Sequence, residues 1–454
     1  MDALKTVNGM VEKARIAQAA FEEFSQEQVD AIVRAIAKVV YDNAEELARL
    51  AVDETRMGVY EHKVKKCQGK ARIIWNELKG KKSVGVIRVL EEEGLVEIAK
   101  PMGVIGAITP TTNPVVTPMC NAMFALKGRN AIIICPHPRA KKCGAKAIGY
   151  MLDAISKLGA PENLIQYIEE PTIDLSGEVM KQADVCISTG GMAMVRAAYS
   201  SGKPAFGVGA GNVQCIIGED ADLEKAVPMI IDGRCFDNGI ICSAEQTAII
   251  PKSRYDEMVE VFKKNGALYI DGPEQVSRLR EAVFPDGVVN KDLVGQSALK
   301  VAEAAGIPAC PDTRVLVVKA PGYGKDDYFA REKMCPVLAA YPCEDWKDAV
   351  KIAHANLEVE GKGHSVCIHS DNKANIEYAA GILPVSRFVI NQISATSSGG
   401  SLMNSLSATT TLGCGSWGNN SISENLSWKH LFNVSRVAYI KPGAQVLSDE
   451  EIWG

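Results

Sequence analysis

The stretch that decides the fold is Gly103–Leu126, GVIGAITPTTNPVVTPMCNAMFAL. Its 24 residues carry no charge, so it is long enough to cross a bilayer as a helix. However, Pro110, Pro114 and Pro118 interrupt it, and proline disrupts the interior of a helix. We therefore predict a buried strand, then an irregular loop, then a helix, and no membrane span.

Short apolar runs alternate with helical stretches downstream of this segment. NAIIIC, LIQYI and DVCIST are strand-like, and the helical AKAIGYMLDAISKLGAP lies among them. A second alternating region runs from about 221 to 405 and includes RVLVVKA, SVCIHS and RFVIN. Such alternation is typical of mostly parallel sheets, which bind ligands beyond the carboxyl ends of their strands. We predict two α/β domains, preceded by about 80 helical residues with a capping-box pattern at Ser25 and Gln28.

Composition excludes several classes of protein. A net charge of −5 provides no basic field for nucleic acid or anionic lipid. The 13 cysteines contain no Cys-x-x-Cys pair and only 6 histidines accompany them, which argues against a zinc site and a disulfide framework. So many thiols fit a reducing cytoplasm. We expect a cytoplasmic protein with no metal, no nucleic-acid partner and no membrane partner.

Two glycine motifs differ in what they indicate. GVGAG at 207–211 does not match the dinucleotide fingerprint, because the strand-like NVQCII follows it where a helix is needed. STGG at 188–191 ends a strand and begins a helical stretch, so a pyrophosphate could approach free amides at a helix N-terminus. A simple tight turn explains STGG equally well.

Five motifs occur together in a fixed order along the chain. They are ITPTTNP at 108–114, STGG at 188–191, NGIICS at 238–243, EKMCP at 332–336 and INQ at 390–392. As a set they resemble the aldehyde dehydrogenase superfamily across nearly the whole chain. The combination is far more specific than any one of the motifs.

Other segments resemble the CoA-acylating branch of that superfamily, and within it the CoA-dependent succinate semialdehyde dehydrogenases. The aldehyde dehydrogenase half of bifunctional aldehyde–alcohol dehydrogenases is also similar. These segments are PHPRAKK at 136–142, GKGHS at 361–365, TTLGCGSWGNNS at 410–421 and KHLFNVSRVA at 429–438.

The resemblance implies an α/β, aldehyde dehydrogenase-like fold with two Rossmann-type domains and a small oligomerisation arm. The cofactor-binding domain would cover 1–220, with an arm of strands near 84–100. The catalytic domain that carries the nucleophile would cover 221–405. Residues 406–454 would form a return segment and a C-terminal oligomerisation region, and a homodimer or a dimer of dimers is implied.

Three residues match or approach catalytic positions of the family. Cys242 matches the nucleophile, whose thiolate attacks the aldehyde carbon and leaves well from a thioester. Asn113 matches the amide that stabilises the oxyanion together with the Cys242 backbone N–H, although alone it could be an Asn-Pro turn residue. His364 is our candidate for handling the proton of the CoA thiol, and a core histidine is the alternative.

The resemblance also implies a nicotinamide cofactor. Glu332 matches the carboxylate that holds the nicotinamide ribose, and Gly190 would lie by the pyrophosphate. The family's adenosine-ribose lysine and glutamate are missing, and His137 and Arg139 stand in that region. NAD and NADP are both permitted; NADP is favoured because Arg139 could pair with a 2′-phosphate, although a solvated arginine is the alternative. The remaining candidate cofactor contacts are Thr109, Pro110 and Gly415.

Gly207 stands where hydrolytic members carry the glutamate that activates water. Without that base, the CoA thiol becomes the natural acceptor of the acyl group. The implied reaction is aldehyde + CoA + NAD(P)+ giving acyl-CoA + NAD(P)H, in either direction, with succinate semialdehyde as the first choice of substrate. An acetaldehyde- or butyraldehyde-type enzyme and a non-enzymatic member are the alternatives.

The acyl group sets what the substrate pocket must contain. Short apolar aldehydes need only an apolar pocket, whereas a succinyl group needs a cation or several hydrogen-bond donors. The candidates are Arg387 and the hydroxyl-rich SATSSGGS at 394–401, in particular Ser397 and Ser398. A flexible loop is the alternative interpretation of that segment.

Overall fold

Three β-sheets organise residues 2–454, the part of the chain that the computed structural model describes. The strands are β1 (Gly85–Leu90), β2 (Leu95–Pro101), β3 (Val104–Thr109), β4 (Ala131–Pro136), β5 (Ile165–Tyr167), β6 (Val185–Thr189), β7 (Ala205–Val208), β8 (Gln214–Ile217), β9 (Thr247–Pro251), β10 (Ala267–Ile270), β11 (Val315–Lys319), β12 (Val337–Cys343), β13 (Gly363–His369), β14 (Val385–Ile390) and β15 (Phe432–Ala438). The α-helices are α1 (Ala3–Glu22), α2 (Gln26–Asp42), α3 (Ala44–Thr55), α4 (Tyr60–Leu78), α5 (Val116–Lys127), α6 (Lys141–Ser156), α7 (Ile173–Gln182), α8 (Met192–Tyr199), α9 (Leu223–Cys235), α10 (Tyr255–Lys264), α11 (Pro273–Val283), α12 (Ala298–Ala304), α13 (Trp346–Val359), α14 (Lys373–Ile382), α15 (Ser394–Ser397) and α16 (Asp449–Trp453).

The helical N-terminal region follows the predicted pattern. Helix α2 begins after Ser25, and the capping box of Ser25 and Gln28 is confirmed. Its apolar side chains at helical spacing, from Val29 to Val40, are buried in the core that the first sheet shares with helices α1 to α7. Helix α2 therefore uses one apolar face for packing and leaves a polar face in solvent.

The first sheet is parallel and has the strand order β5-β4-β3-β6-β7. Every residue of β3 and β4 is buried, which explains why their sequences are unbroken apolar runs. The uncharged stretch Gly103–Leu126 supplies β3, a loop and α5, as predicted. Within residues 2–454, no helix combines the length and the apolar character that a bilayer span requires.

The second sheet is also parallel, in the order β10-β11-β12-β9-β8-β13-β14. Ile216 and Ile217 of β8 belong to different core clusters, because successive strand residues point to opposite faces. Strand β8 lies within the predicted 1–220 domain, yet it pairs with β9 and β13 of the second sheet. The change of sheet therefore falls between Val208 and Gln214, earlier than the predicted boundary.

A third, antiparallel sheet has the order β1-β2-β15. Strand β15 comes from the C-terminal segment and pairs along the whole of β2, from Phe432 opposite Pro101 to Ala438 opposite Leu95. The strands near 84–100 and the C-terminal region thus form one small arm. Val86 and Val89 of its edge strand β1 are exposed, with 47% and 56% of their surface in solvent.

Candidate active site

A cavity of about 340 Å³ brings the predicted nucleophile and the predicted oxyanion donor together. Cys242 lies in the loop between α9 and β9, and Asn113 lies in the loop between β3 and α5. Both residues are on the cavity wall, together with residues of α4, of 395–402 and of the start of the return segment, 409–412. The site therefore combines loops of both α/β units with one N-terminal helix.

Arg234, in the last turn of α9, fixes the loop that carries Cys242. The side chain is fully buried, and it donates hydrogen bonds to the carbonyls of Gly239 at 2.5 Å and Glu245 at 2.8 Å. The Glu245 carboxylate in turn accepts a hydrogen bond from the Ser394 backbone N–H at 2.6 Å. The loop is anchored on both sides of the nucleophile, which pre-organises its position.

Gly211 explains the glycine motif GVGAG at 207–211. A Cβ atom at Gly211 would lie 1.8 Å from the backbone oxygen of Cys242. Only glycine allows the backbone to approach so closely. The motif therefore lets the chain pack directly against the loop that carries Cys242. The sequence analysis missed this role, and the glycine at position 211 was the one sequence feature that indicated it.

The thiol of Cys242, the predicted nucleophile, is protonated at neutral pH. Burial, and then the negative charge of Glu332, raise the pKa of Cys242 to about 12, and the positive charge of Arg387 opposes that shift only in part. Because the thiolate is the nucleophile, the thiol must lose its proton when substrate and cofactor change its surroundings.

Glu332 lies near the nucleophile in a buried position. Burial, and then the charge of Glu360, raise the pKa of Glu332 to about 8. Its backbone N–H donates to Glu360 Oε2 at 2.8 Å, which fixes the main chain there. A carboxyl group that is mostly neutral at pH 7 can donate as well as accept a hydrogen bond, as a contact with ribose hydroxyls requires.

Asn113 belongs to a chain of polar contacts that starts on α4. Lys66 Nζ donates to Asn113 Oδ1 at 2.8 Å and to Asp237 Oδ2 at 2.5 Å. Lys63 Nζ donates to the same Asp237 oxygen at 3.0 Å. Burial opposes the ionisation of Asp237, but the charges of Lys66 and Lys63 lower its pKa below the ordinary value. The sequence reasoning missed all three of these charged residues.

Lys70 places another ammonium group on the cavity wall. Its Nζ donates to the carbonyls of Gly399 at 2.8 Å and Thr409 at 3.0 Å, and it forms no ion pair within residues 2–454. Burial lowers the pKa of Lys70 to about 8, so it is mostly charged at pH 7. Lys65 and Arg72 line the same cavity. Cations without counter-charges favour an anionic substrate here.

Arg387, which we predicted to bind a substrate carboxylate, faces the protein interior. Its guanidinium donates to the carbonyls of His364 and Gly413, both at 2.8 Å, and to Asn425 Oδ1 at 3.0 Å. It is fully buried and not on the cavity wall. The structure therefore contradicts the predicted substrate contact, because these hydrogen bonds join β14 to the return segment instead.

The segment SATSSGGS does line the cavity, but not through the two predicted serines. Thr396 and Ser401 are among the wall residues, whereas Ser397 and Ser398 are not. Ser398 is fully buried, and its Oγ pairs with Ser394 Oγ at 2.9 Å. The single turn of α15 directs its side chains to different sides, which sequence alone did not reveal.

His364 is enclosed at the start of β13. Within residues 2–454 neither of its ring nitrogens has a hydrogen-bond partner, and the residue is fully buried. Burial, and then the charge of Arg387, lower the pKa of His364 to about 3. Its imidazole is therefore neutral and keeps a free acceptor nitrogen, but it is not on the cavity wall.

Four predicted cofactor contacts lie at the carboxyl end of the first sheet. Thr109 ends β3 and Pro110 follows it, while His137 follows β4 and Gly190 follows β6. The strand order reverses between β3 and β6, where doubly wound sheets bind dinucleotides. A Cβ atom at Gly190 would meet nothing within 4 Å, so there is room beside the start of α8. These residues fit a dinucleotide.

The two other predicted cofactor residues differ in their surroundings. Arg139 is exposed, and within residues 2–454 its guanidinium has no hydrogen-bond or ion-pair partner, so it is free to meet a phosphate. Gly415 has a φ of 59° in the return segment, and a Cβ there would lie 2.9 Å from Ser423 Cβ. Gly415 thus serves a tight turn, and its cofactor contact stays a prediction.

Cys215, Cys367 and His369 form a group that the spacing of cysteines did not reveal. Their ligand atoms lie within 4.8 Å of one another in the core of the second sheet. Closed zinc sites use four ligands, and this group offers three, so we assign no metal to it. The expectation that the protein binds no metal stays a prediction.

Comparison with known proteins agrees with this geometry. A model of the aldehyde dehydrogenase family matches residues 2–274. Succinate-semialdehyde dehydrogenase (acetylating) from Clostridium kluyveri is 53% identical over 449 residues, which cover 99% of both chains. An acetylating aldehyde dehydrogenase from Geobacillus thermoglucosidasius has a crystal structure with a TM-score of 0.94 at 38% identity, covering 98% of each chain.

A further solved structure shows the chemistry of a relative. Propionaldehyde dehydrogenase from Rhodopseudomonas palustris, with bound CoA and an acylated cysteine, has a TM-score of 0.86 at 29% identity. The match covers 96% of this chain and 97% of that one. The family resemblance predicted from five short motifs and the α/β fold predicted from alternating strands and helices are thereby confirmed. The chain belongs to the aldehyde dehydrogenase family and, within it, to the acylating enzymes.

Proposed function

We propose that the enzyme interconverts succinate semialdehyde, CoA and NAD(P)+ with succinyl-CoA, NAD(P)H and a proton. The observation that carries the proposal is the single cavity in which Cys242 and Asn113 lie beside the unneutralised ammonium of Lys70. The Clostridium kluyveri relative is named for the same aldehyde. The cysteine would hold the aldehyde carbon while the lysine meets the carboxylate at the other end.

The first half of the reaction acylates the cysteine. The Cys242 thiol gives up its proton, which is the proton released in the overall reaction, and its Sγ attacks the aldehyde carbon. The carbonyl oxygen becomes an oxyanion that the Asn113 side chain and the Cys242 backbone N–H stabilise. Thr109 and Gly190 would hold a nicotinamide cofactor, which would supply the acceptor for the hydride that leaves the former aldehyde carbon as the oxyanion collapses to the thioester. The product of this half is a thioester on Cys242.

The second half transfers the acyl group to CoA. The CoA thiol gives its proton to a base, the CoA sulfur attacks the thioester carbon, and the bond to Cys242 Sγ breaks. The departing sulfur takes up a proton, which restores the Cys242 thiol. We keep His364 as the candidate for that base, because its neutral imidazole has a free acceptor nitrogen. Its pKa of about 3 and its place off the cavity wall mean that bound CoA has to reach it and raise that pKa before it can take the proton. Gly207 has no side chain and so provides no base to activate water. A Cβ there would lie 2.8 Å from Val195 and 3.1 Å from Tyr199 of α8.

A substrate panel with CoA tests the proposed substrate. We expect the highest kcat/KM with succinate semialdehyde. In Lys70→Met the KM for this aldehyde should rise about 10- to 100-fold, as loss of a charged contact predicts, while acetaldehyde is little affected. Lys79→Met removes an exposed lysine from the end of α4 and serves as the control. A wild-type preference for acetaldehyde or butyraldehyde would favour the alternative reaction.

We propose NADP as the preferred cofactor. The unpaired Arg139 supports this choice, because a guanidinium binds a phosphate with two parallel hydrogen bonds. Arg139→Ala should raise the KM for NADP about tenfold and leave the KM for NAD unchanged. Equal effects on both cofactors would show that Arg139 does not meet the 2′-phosphate.

We also propose a homodimer or a dimer of dimers in a reducing cytoplasm. The exposed valines of β1 support the oligomer, since the edge strand of a small sheet needs cover. All 13 cysteines are unpaired thiols, which supports the reducing compartment.

A further inference from the structure

We infer that Lys66 is a positioning residue for the oxyanion donor: it fixes the amide of Asn113 so that the amide nitrogen, and not the oxygen, is free for the substrate. Asp237 and Lys63 hold Lys66 in place. This inference rests on the proposed role of Asn113 in the reaction.

The contact between Lys66 and Asn113 selects one orientation of the amide. An asparagine side chain can turn by 180° with almost no change of shape, which would exchange its donor and its acceptor. A lysine ammonium can only donate, so the atom 2.8 Å from Lys66 Nζ has to be Oδ1. The Nδ2 group is then the end that remains to donate to an oxyanion formed at Cys242, on the same cavity wall.

Asp237 is built to keep Lys66 in this position. Its carboxylate accepts from Lys66 at 2.5 Å, from Lys63 at 3.0 Å and from the Val59 backbone N–H at 2.9 Å. It is fully buried, and Gly58 packs so closely that a Cβ there would lie 2.0 Å from Asp237 Oδ1. These contacts leave the carboxylate no room to move away from Lys66.

The ammonium of Lys66 also acts on the amide through its charge. Lys63 faces the same carboxylate of Asp237, and burial lowers the pKa of Lys63. The hydrogen bond from Lys66 to Asn113 Oδ1 draws electron density from the amide nitrogen, which makes the N–H a stronger donor. Lys66 therefore orients the oxyanion donor and also strengthens it.

Asp237 also connects the cluster to the nucleophile. It begins the segment DNGIIC, which ends at Cys242, and its φ of 53° gives the turn a left-handed backbone. Its backbone N–H donates to His62 Nδ1 at 2.9 Å, so α4 holds this turn through both the backbone and the side chain. One element thus sets the position of Cys242 relative to Asn113, although the two come from different α/β units.

Steady-state kinetics of Lys66→Met tests this role. Removing an oxyanion donor typically costs about 10²–10³-fold, and misplacing a reacting group by 1 Å costs about 10²-fold. We therefore expect kcat to fall about 10- to 100-fold with both succinate semialdehyde and acetaldehyde, with KM changed less than about twofold. Lys66→Arg should retain more activity, and Lys79→Met should match the wild type. A rise in KM for succinate semialdehyde alone would make Lys66 a carboxylate contact and overturn the inference.

A double-mutant cycle with Asn113→Ala separates the inference from the proposed function. If Lys66 acts through Asn113, adding Lys66→Met to Asn113→Ala should reduce kcat by less than about threefold. If Lys66→Met lowers kcat as much in the Asn113→Ala background as it does in the wild-type background, Lys66 acts independently of Asn113 and the inference is overturned. Unchanged kcat in Asn113→Ala alone would instead refute the proposed oxyanion donor. Lys66→Gln replaces Lys66→Met if that variant fails to fold, because a glutamine amide can donate or accept and so no longer selects one orientation of Asn113.

Discussion

At the scale of single residues, burial keeps the thiol of Cys242, the proposed nucleophile, in its unreactive protonated form. Cys242 has a pKa of about 12, so almost no thiolate is present at neutral pH. Thiolates are the form that oxidants and alkylating agents attack, so a protonated thiol is protected while the enzyme is empty. Because the pKa of Cys242 is so high, substrate and cofactor have to lower it before the thiol can ionise.

Alkylation of Cys242 should report the charge of Glu332. The pKa of Glu332 is about 8, so it is an anion above that pH and a neutral acid below it. As an anion it raises the pKa of Cys242, because it disfavours a second negative charge nearby. Glu332→Gln should therefore react faster with iodoacetamide than the wild type well above pH 8, and at the same rate well below it. Mass spectrometry of the Cys242 peptide gives both rates, and equal rates above pH 8 would contradict the prediction.

Without CoA, the enzyme should form about one NAD(P)H per active site and then stop as the thioester. General-base activation of water is typically worth about 10²–10⁴-fold, and Gly207 supplies none. Rapid-mixing absorbance measures the burst, Cys242→Ala serves as the control without a burst, and added CoA should restart turnover. Gly207→Glu should not restore hydrolysis, because its Cβ would meet Val195 at 2.8 Å. Sustained turnover to the free acid would show that another base activates water.

At the scale of elements, local patterns predicted backbone structure better than they predicted side-chain direction. Strand β3, its loop and α5 follow from an apolar run and its prolines, which are local features. Arg387 could not be placed, because carbonyls of the distant return segment determine where its guanidinium points. The sequence of helix α4 contains a pattern that the sequence analysis did not use. One face of the helix carries Lys63, Lys66 and Lys70, beside the buried Cys67, and this spacing indicates a cluster of lysines on the side that packs against the protein.

The loop that carries Cys242 should tolerate no side chain at Gly211. Gly211→Ala puts a Cβ 1.8 Å from the Cys242 carbonyl, so we expect loss of most activity, or of folding, through displacement of the nucleophile. Gly149→Ala is the matched control, because it lies in α6 with nothing within 4 Å of the added Cβ. Chemical denaturation should show Gly149→Ala more stable by about 0.5–1 kcal/mol. Normal kcat in Gly211→Ala would mean that the loop can move without cost.

At the scale of the whole molecule, the return segment and the N-terminal helices join two separate sheets into one site. The hydroxyls of Thr189, at the end of the first sheet, and Thr411, in the return segment, pair at 3.0 Å. Lys70 of α4 donates to the carbonyl of Thr409 in the same segment and to that of Gly399 just before it. The site is therefore assembled by tertiary contacts across the chain, which explains why no single motif could define it.

The arm β1-β2-β15 should mediate self-association. Val86, Val89, Val437 and Tyr439 leave from 39% to 64% of their surfaces in solvent on this small sheet, and such a sheet invites pairing unless a partner covers it. Light scattering coupled to size exclusion should give a mass of two or four times 48.8 kDa. Val89→Lys should shift the mass toward the monomer, because a charge on an edge strand disfavours pairing. Val288→Lys, at a valine that is 64% exposed outside the arm, should leave the mass unchanged. If the wild type is a monomer, or if both variants lose mass equally, the arm is not the interface.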